Sequence, residues 1–360
     1  MLNDSVRAHA RSHPPVGVSG FLHRGLLALP VFLAAAFLPQ AADACACGCG
    51  IFDVGANVLA GMPSESGSGV SVWFRYSYMN QNQNWEGNSK APASDNGDKE
   101  INTGFYTIGG EYRVNSDWTV MAELPIYNRQ FTTTDDPQGS ITGVPNSVYT
   151  GRLTALGDLQ LSALYTGLAP DQSSGLMFGV KLPTGDYTGP AGPKGGLEFD
   201  RDSLPGTGST DLMIGGYHLG QFAPDSLFGY FVQARYQAAV LTTSNAEGSY
   251  RPGNEFDGAA GLTYDFGVQG PFADVLPLVQ FLSSWRLHDT GTGADTLNSG
   301  YRRLLMAPGI EMRLDNWRLY ADVEKPIYQD VNSASSLAQE GTAGQLTAGT
   351  LYKVQLSYDF

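Results

Sequence analysis

Tyr352-Lys353-Val354-Gln355-Leu356-Ser357-Tyr358-Asp359-Phe360 ends the chain. Tyr352, Val354, Leu356, Tyr358 and Phe360 alternate with Lys353, Gln355, Ser357 and Asp359. Successive side chains of a strand point to opposite faces, so this stretch is a strand with one apolar and one polar face.

The same period recurs upstream. Val70, Val72, Phe74, Tyr76 and Tyr78 oppose Ser71, Arg75 and Ser77, and Tyr106, Ile108, Tyr112 and Val114 oppose Thr107, Glu111 and Arg113. Trp118, Val120, Ala122, Leu124 and Ile126 oppose Thr119, Glu123 and Arg129. The pattern predicts strands over 69–80, 101–114, 117–129, 157–168, 174–183, 209–221, 226–242, 254–268, 275–288, 301–314, 316–327 and 347–360. About ten residues rising about 3.3 Å each, tilted about 40°, cover an apolar band about 25 Å tall.

The spacers set the topology. Short turns at 115–116, 169–173, 222–225, 269–274 and 315 alternate with long polar stretches at 81–100, 130–156, 184–208, 243–253, 289–300 and 328–346. Short periplasmic turns and long extracellular loops are the pattern of outer-membrane barrels. A soluble β-sandwich alternates too, but needs a second apolar layer over its outer face and shorter strands. The expected fold is therefore all-β, an antiparallel transmembrane β-barrel of about twelve strands with periplasmic termini, spanning 69–360. Phe360 at the end of an alternating strand resembles the signal by which such barrels are recognised for assembly.

Residues 1–44 read as a secretory signal peptide. Arg7, Arg11 and Arg24 precede an apolar run from Leu26 to Leu38, and Ala42-Asp43-Ala44 offers small residues for cleavage. The run is too short to span a bilayer as a helix, and no later window supplies eighteen apolar residues in a row. Cleavage would leave Cys45 first. That position also suits a lipoprotein, against which stand Asp43 and the lack of Leu three residues before the Cys. The 45 Gly, 18 Tyr, 17 Phe and 5 Trp suit short strands and turns. A net charge of −14 argues against nucleic acid, whose phosphates need a basic surface.

If the apolar faces meet lipid, the inward set comprises Arg75, Glu111, Arg113, Glu123, Arg129, Lys181, Arg235, Asp257, Arg286, Glu311, Arg313, Arg318, Asp322, Glu324 and Lys353. Two readings stand for these charges: they set a field for a permeating solute, or they pair and fill the bore. Trp85, Trp118, Trp285 and Trp317 fall near strand ends, where anchoring girdles belong. Acidic loop pieces such as Phe199-Asp200-Arg201-Asp202 suit Ca²⁺ or a divalent-bridged contact with lipopolysaccharide, although solvated loop carboxylates are commoner.

Residues 45–68 form an N-terminal arm opened by Cys45, Cys47 and Cys49, the chain's whole supply of Cys. Alternate thiolates can converge on a soft metal, Cu(I) or Zn(II), although a local fourth ligand is lacking. Oxidation to a bridge, linkage to a partner, and no specific role are the other readings. Beyond that soft metal no cofactor is expected. The chain reads as no enzyme: neither His218 nor His288 is followed two residues later by Ser, as a barrel phospholipase requires. Asp135-Asp136 and His288-Asp289 fall at the rim where a barrel protease would hold such pairs, but they are common loop residues.

Gly179-Val180-Lys181-Leu182-Pro183-Thr184-Gly185-Asp186, Gly206-Thr207-Gly208-Ser209-Thr210-Asp211-Leu212 and Gly157-Asp158-Leu159 together resemble the barrel family labelled for the meta pathway of phenol degradation. The resemblance covers mainly residues 157–220 and implies an outer-membrane channel for aromatic or other hydrophobic compounds. The expected function is passive passage of small organic solutes. Lipid, lipopolysaccharide and the barrel-assembly machinery are the expected partners. The alternative is an envelope binding or assembly barrel whose Cys arm takes a soft metal or a periplasmic partner.

Overall fold

A sheet in lipid must leave no backbone group unpaired, so it has to close on itself. The computed structural model describes residues 69–134, 143–144, 147–188, 199, 201–245, 248–333 and 344–360. Its strands are β1 (Val70–Glu86), β2 (Ser89–Lys90), β3 (Asp98–Arg113), β4 (Trp118–Thr133), β5 (Tyr149–Leu156), β6 (Leu159–Tyr165) and β7 (Ser174–Leu182). They continue as β8 (Ser209–Gln221), β9 (Phe228–Thr242), β10 (Glu255–Tyr264), β11 (Asp274–Arg286), β12 (Tyr301–Leu314), β13 (Trp317–Val331) and β14 (Gln345–Asp359). Each pairs antiparallel with its neighbour, and β14 closes onto β1 from Ser71↔Asp359 to Trp85↔Gln345. β2 is a short ribbon on the end of β1. β5 and β6 form one interrupted strand, pairing with the upper and lower parts of β4 respectively. The wall is thus a closed barrel of twelve antiparallel strands.

The polarity is inverted relative to a soluble protein. On β14 Val354 is 43% exposed while its neighbour Lys353 is 1% exposed. Val72, Phe74, Ile108, Val120, Phe178, Ile214 and Phe281 are exposed in the same way, whereas Arg75, Arg129, Lys181 and Asp257 are buried. Buried charges inside a belt of exposed aliphatic and aromatic side chains fit a wall whose outside is lipid. Aromatic contacts gather at the short-turn end, as in Trp118–Tyr165, Phe228–Tyr264 and Trp317–Tyr358.

Three features depart from expectation. Strands run further on the long-loop side: β1 reaches Glu86, β4 Thr133 and β13 Val331. There the outward side chains turn polar (Asn128, Gln130 and Thr132 on β4), so the apolar alternation stops while backbone pairing continues. The strand expected from 157 begins at Tyr149 and breaks at Gly157-Asp158. Gly157 lies so close to Gly185, and Gly185 to Gly206, that an added Cβ on Gly206 would come 2.4 Å from the Gly185 carbonyl. Finally, the inward face is not wholly polar. Met79, Phe105, Phe231, Leu282, Leu305 and Leu351 belong to one buried apolar cluster inside the wall.

Candidate functional site in the lumen

Inward charges meet in fixed pairs, between adjacent strands, across an intervening strand, or from a strand end to a loop. The Arg75 guanidinium on β1 lies 3.0 Å from Glu123 on β4 and also donates to Gln355 Oε1 at 3.1 Å. Lys181 on β7 bridges Asp158 at 3.1 Å and Asp211 on β8 at 3.0 Å. Arg235 on β9 meets Asp257 on β10 at 2.8 Å. Arg286, the last residue of β11, meets Asp289 at 2.6 Å. Desolvation offsets much of the attraction in such pairs, so they contribute position more than stability.

Arg75, Glu123, Arg129, Lys181, Arg235 and Arg286 line one chamber of about 160 Å³. Other strand residues, among them Phe105, Thr107 and Tyr127, and loops supply the rest of its wall. Phe199 and Leu204 pack against Ile101, Phe131 and Leu346, which draws the segment before β8 into the barrel mouth. Arg129 donates to the Ser203 carbonyl, and Thr207 Oγ1 donates to Asp158 at 2.7 Å. The Arg201 guanidinium sits 5.0 Å from the Tyr187 ring and 4.7 Å from the Tyr250 ring, and donates to the Thr207 carbonyl at 2.7 Å. Arg201 and Asp202 therefore turn into the chamber, not outward toward lipopolysaccharide; Asp200 lies outside the described residues.

Asp202 borders the chamber space yet is enclosed by protein, and burial pushes its carboxyl up to about 7, with Asp289, Asp295 and Asp98 raising it and Arg286 opposing them. Burial also raises Asp295 and Tyr250. Asp289 accepts from Tyr250 OH at 2.8 Å and from the Gly253 amide at 2.7 Å. With Arg286 this occupies Asp289 as a brace between loops; Asp135 and Asp136 lie outside the described residues.

The other expected lumen residues form separate groups. Lys353 meets Glu324 at 2.7 Å, and Asp322 on the same strand as Glu324 accepts from Tyr320 OH at 2.6 Å and Gln280 Nε2 at 3.1 Å. Near the short turns Arg313 lies 3.0 Å from Glu311, and Arg318 lies 3.1 Å from Asp359, with Glu111 and Arg113 half-buried at the end of β3. Residues 1–44, expected as a signal peptide, and the arm with Cys45, Cys47 and Cys49 lie outside the described residues.

Loop residues Arg201, Asp202 and Tyr250, and the apolar cluster, escape the strand pattern. Leu204 and Pro205 beside a charged pair are the available hint, since a solvated loop has little use for a buried Leu. A cross-strand pair escapes it as well. Ser174 Oγ lies 2.8 Å from His218 Nδ1 on the outward face, with Tyr230 OH 3.2 Å from Nε2. The Nε2 side of that imidazole thus faces a neutral phenol.

The chain's sequence matches no family description and no curated protein. Its fold is shared. An outer-membrane channel from Pseudomonas putida F1 superposes with a TM-score of 0.57 at 9% identity, covering 83% of this chain and 99% of that one. The β domain of the Bordetella autotransporter BrkA gives 0.47 at 14% identity over 81% and 100% of the two chains. The Pseudomonas putida toluene transporter TodX gives 0.42 at 10% over 90% and 99%. With its closed wall and lipid-facing belt, the protein is an outer-membrane β-barrel.

Proposed function

We propose that the protein is a passive outer-membrane channel for small organic solutes, with the lumen chamber as the selective part of the route. One observation carries the reading: a charged chamber inside the barrel adjoins a buried apolar cluster, and Phe105 belongs to both. Charge draws in polar or ionised groups, while the apolar cluster gives the hydrocarbon part of a solute a surface to slide along. The Pseudomonas putida F1 barrel that shares this fold is itself an outer-membrane channel, which agrees with the reading. The motif likeness to the phenol meta-pathway family points toward aromatic or hydrophobic solutes. No observation favours the reading in which the Cys arm is the working part.

Osmotic swelling of liposomes holding the refolded barrel tests this. Small polar organic solutes should enter faster than in empty liposomes, at rates that fall with solute size, because the chamber admits only small molecules. Swelling equal to that of empty liposomes for every solute would overturn the reading.

A further inference from the structure

Most cations of the chamber are answered by carboxylates, and Arg129 differs. Its Nε donates to Thr103 Oγ1 at 3.0 Å and its Nη1 to the Ser203 carbonyl. Its neighbours in register, Thr103 on β3 and Leu153 on β5, carry no charge. Among the described residues no carboxylate lies within ion-pair distance of Arg129, and its Nη2 has no hydrogen-bond partner. Arg201 is held between the Tyr187 and Tyr250 rings and by loop carbonyls, which engages its guanidinium within the loop. Glu255, a chamber carboxylate, stands directly across the β10–β11 register from Arg286 and so has a cation beside it. The positive charge open to a ligand in the chamber is therefore at Arg129.

Aromatic surface surrounds that charge. The Arg129 guanidinium lies 5.6 Å from the Tyr127 ring centroid, and Tyr127 meets Phe105 edge-on at 4.9 Å. Leu204 and Pro205 supply further apolar lining. A cavity of about 150 Å³ holds a benzene-sized molecule, and this one is about 160 Å³. A guanidinium with a free N–H is a directional partner for a carboxylate, and an aromatic pair gives edge and face contacts to a flat ring.

We infer that the chamber is a binding site for small aromatic carboxylates, with the carboxylate on Arg129 Nη2 and the ring against Phe105 and Tyr127. This rests on the channel reading only for its role in passage; the site binds its ligand whether or not the bore conducts.

Two measurements separate the two claims. Calorimetric titration of the detergent-solubilised full-length mature barrel with sodium benzoate, sodium acetate and benzylammonium chloride tests the site. Benzoate should bind about tenfold or more tighter than either control, a ratio equivalent to about 1.4 kcal/mol. Arg129→Gln should abolish that preference while Arg129→Lys keeps part of it, and Phe105→Ala should weaken benzoate without weakening acetate. Heat-modifiable migration on gels confirms that each variant is folded. Equal binding of the three probes, or an unchanged preference in folded Arg129→Gln, would overturn the site. Bilayer conductance then tests the channel alone: benzoate binding without conductance overturns passage and leaves the site standing.

Discussion

Lys353 and Glu324 meet at 2.7 Å with side chains 1% and 0% exposed, one strand apart across β13 and β14. Removing one partner strands a charge in the interior, which typically costs about 3–5 kcal/mol, whereas replacing both by apolar side chains of similar volume can be neutral. Lys353→Met should therefore lower the urea midpoint for unfolding from liposomes markedly, and Lys353→Met with Glu324→Leu should recover most of it. An unchanged midpoint in the single variant would show that the pair is solvated. The strand period alone puts Lys353 inside the barrel, because its neighbours Tyr352 and Val354 must face lipid. Its partner was not legible, since that depends on the register Asp322↔Lys353 between two strands that the chain does not print. The Ser174–His218 contact was hidden for the same reason: a search along the chain cannot see residues brought opposite each other.

At the scale of elements the inserted loop forms part of the chamber wall. Docked, the Asp202 carboxyl stands at about 7; were the segment to leave the mouth, it would return toward the ordinary 3.8. The docked state then binds more protons than the released state between those values, so docking weakens as pH rises through that window. Below about pH 4 its contribution is fully present, and above about pH 7 it is lost. The facing carboxylates Asp289, Asp295 and Asp98 act in the same direction and Arg286 opposes them. Ion conductance should accordingly be higher at about pH 8 than at about pH 5, and Asp202→Asn should flatten the profile. A wild-type profile that is flat, or that falls with rising pH, contradicts this. The loop's position was not legible because its polar composition is that of a solvated loop; only Phe199, Leu204 and the glycines at 185 and 206 mark it as packed. Strand ends above the lipid were hidden likewise, since outward Asn128, Gln130 and Thr132 carry no periodic signal.

For the whole molecule, lipid is the constraint that made the fold readable. It demands an apolar outer face on every strand and pairing of every backbone group, so alternation and turn spacing suffice to count twelve strands and place both ends of the wall together. The interior obeys no such rule. Met79, Leu282 and Leu305 occupy inward positions where a polar residue was expected, and their clustering appears only when the sheet is rolled up. The central claim is that solutes pass through this interior and past the chamber. Thr107 lines the chamber, and Val354 faces lipid. In a background with Cys45, Cys47 and Cys49 changed to Ser, Thr107→Cys should lose most of its single-channel current on treatment with a charged methanethiosulfonate reagent, while Val354→Cys should lose none. A Thr107→Cys barrel whose current survives complete modification would contradict a route through the chamber.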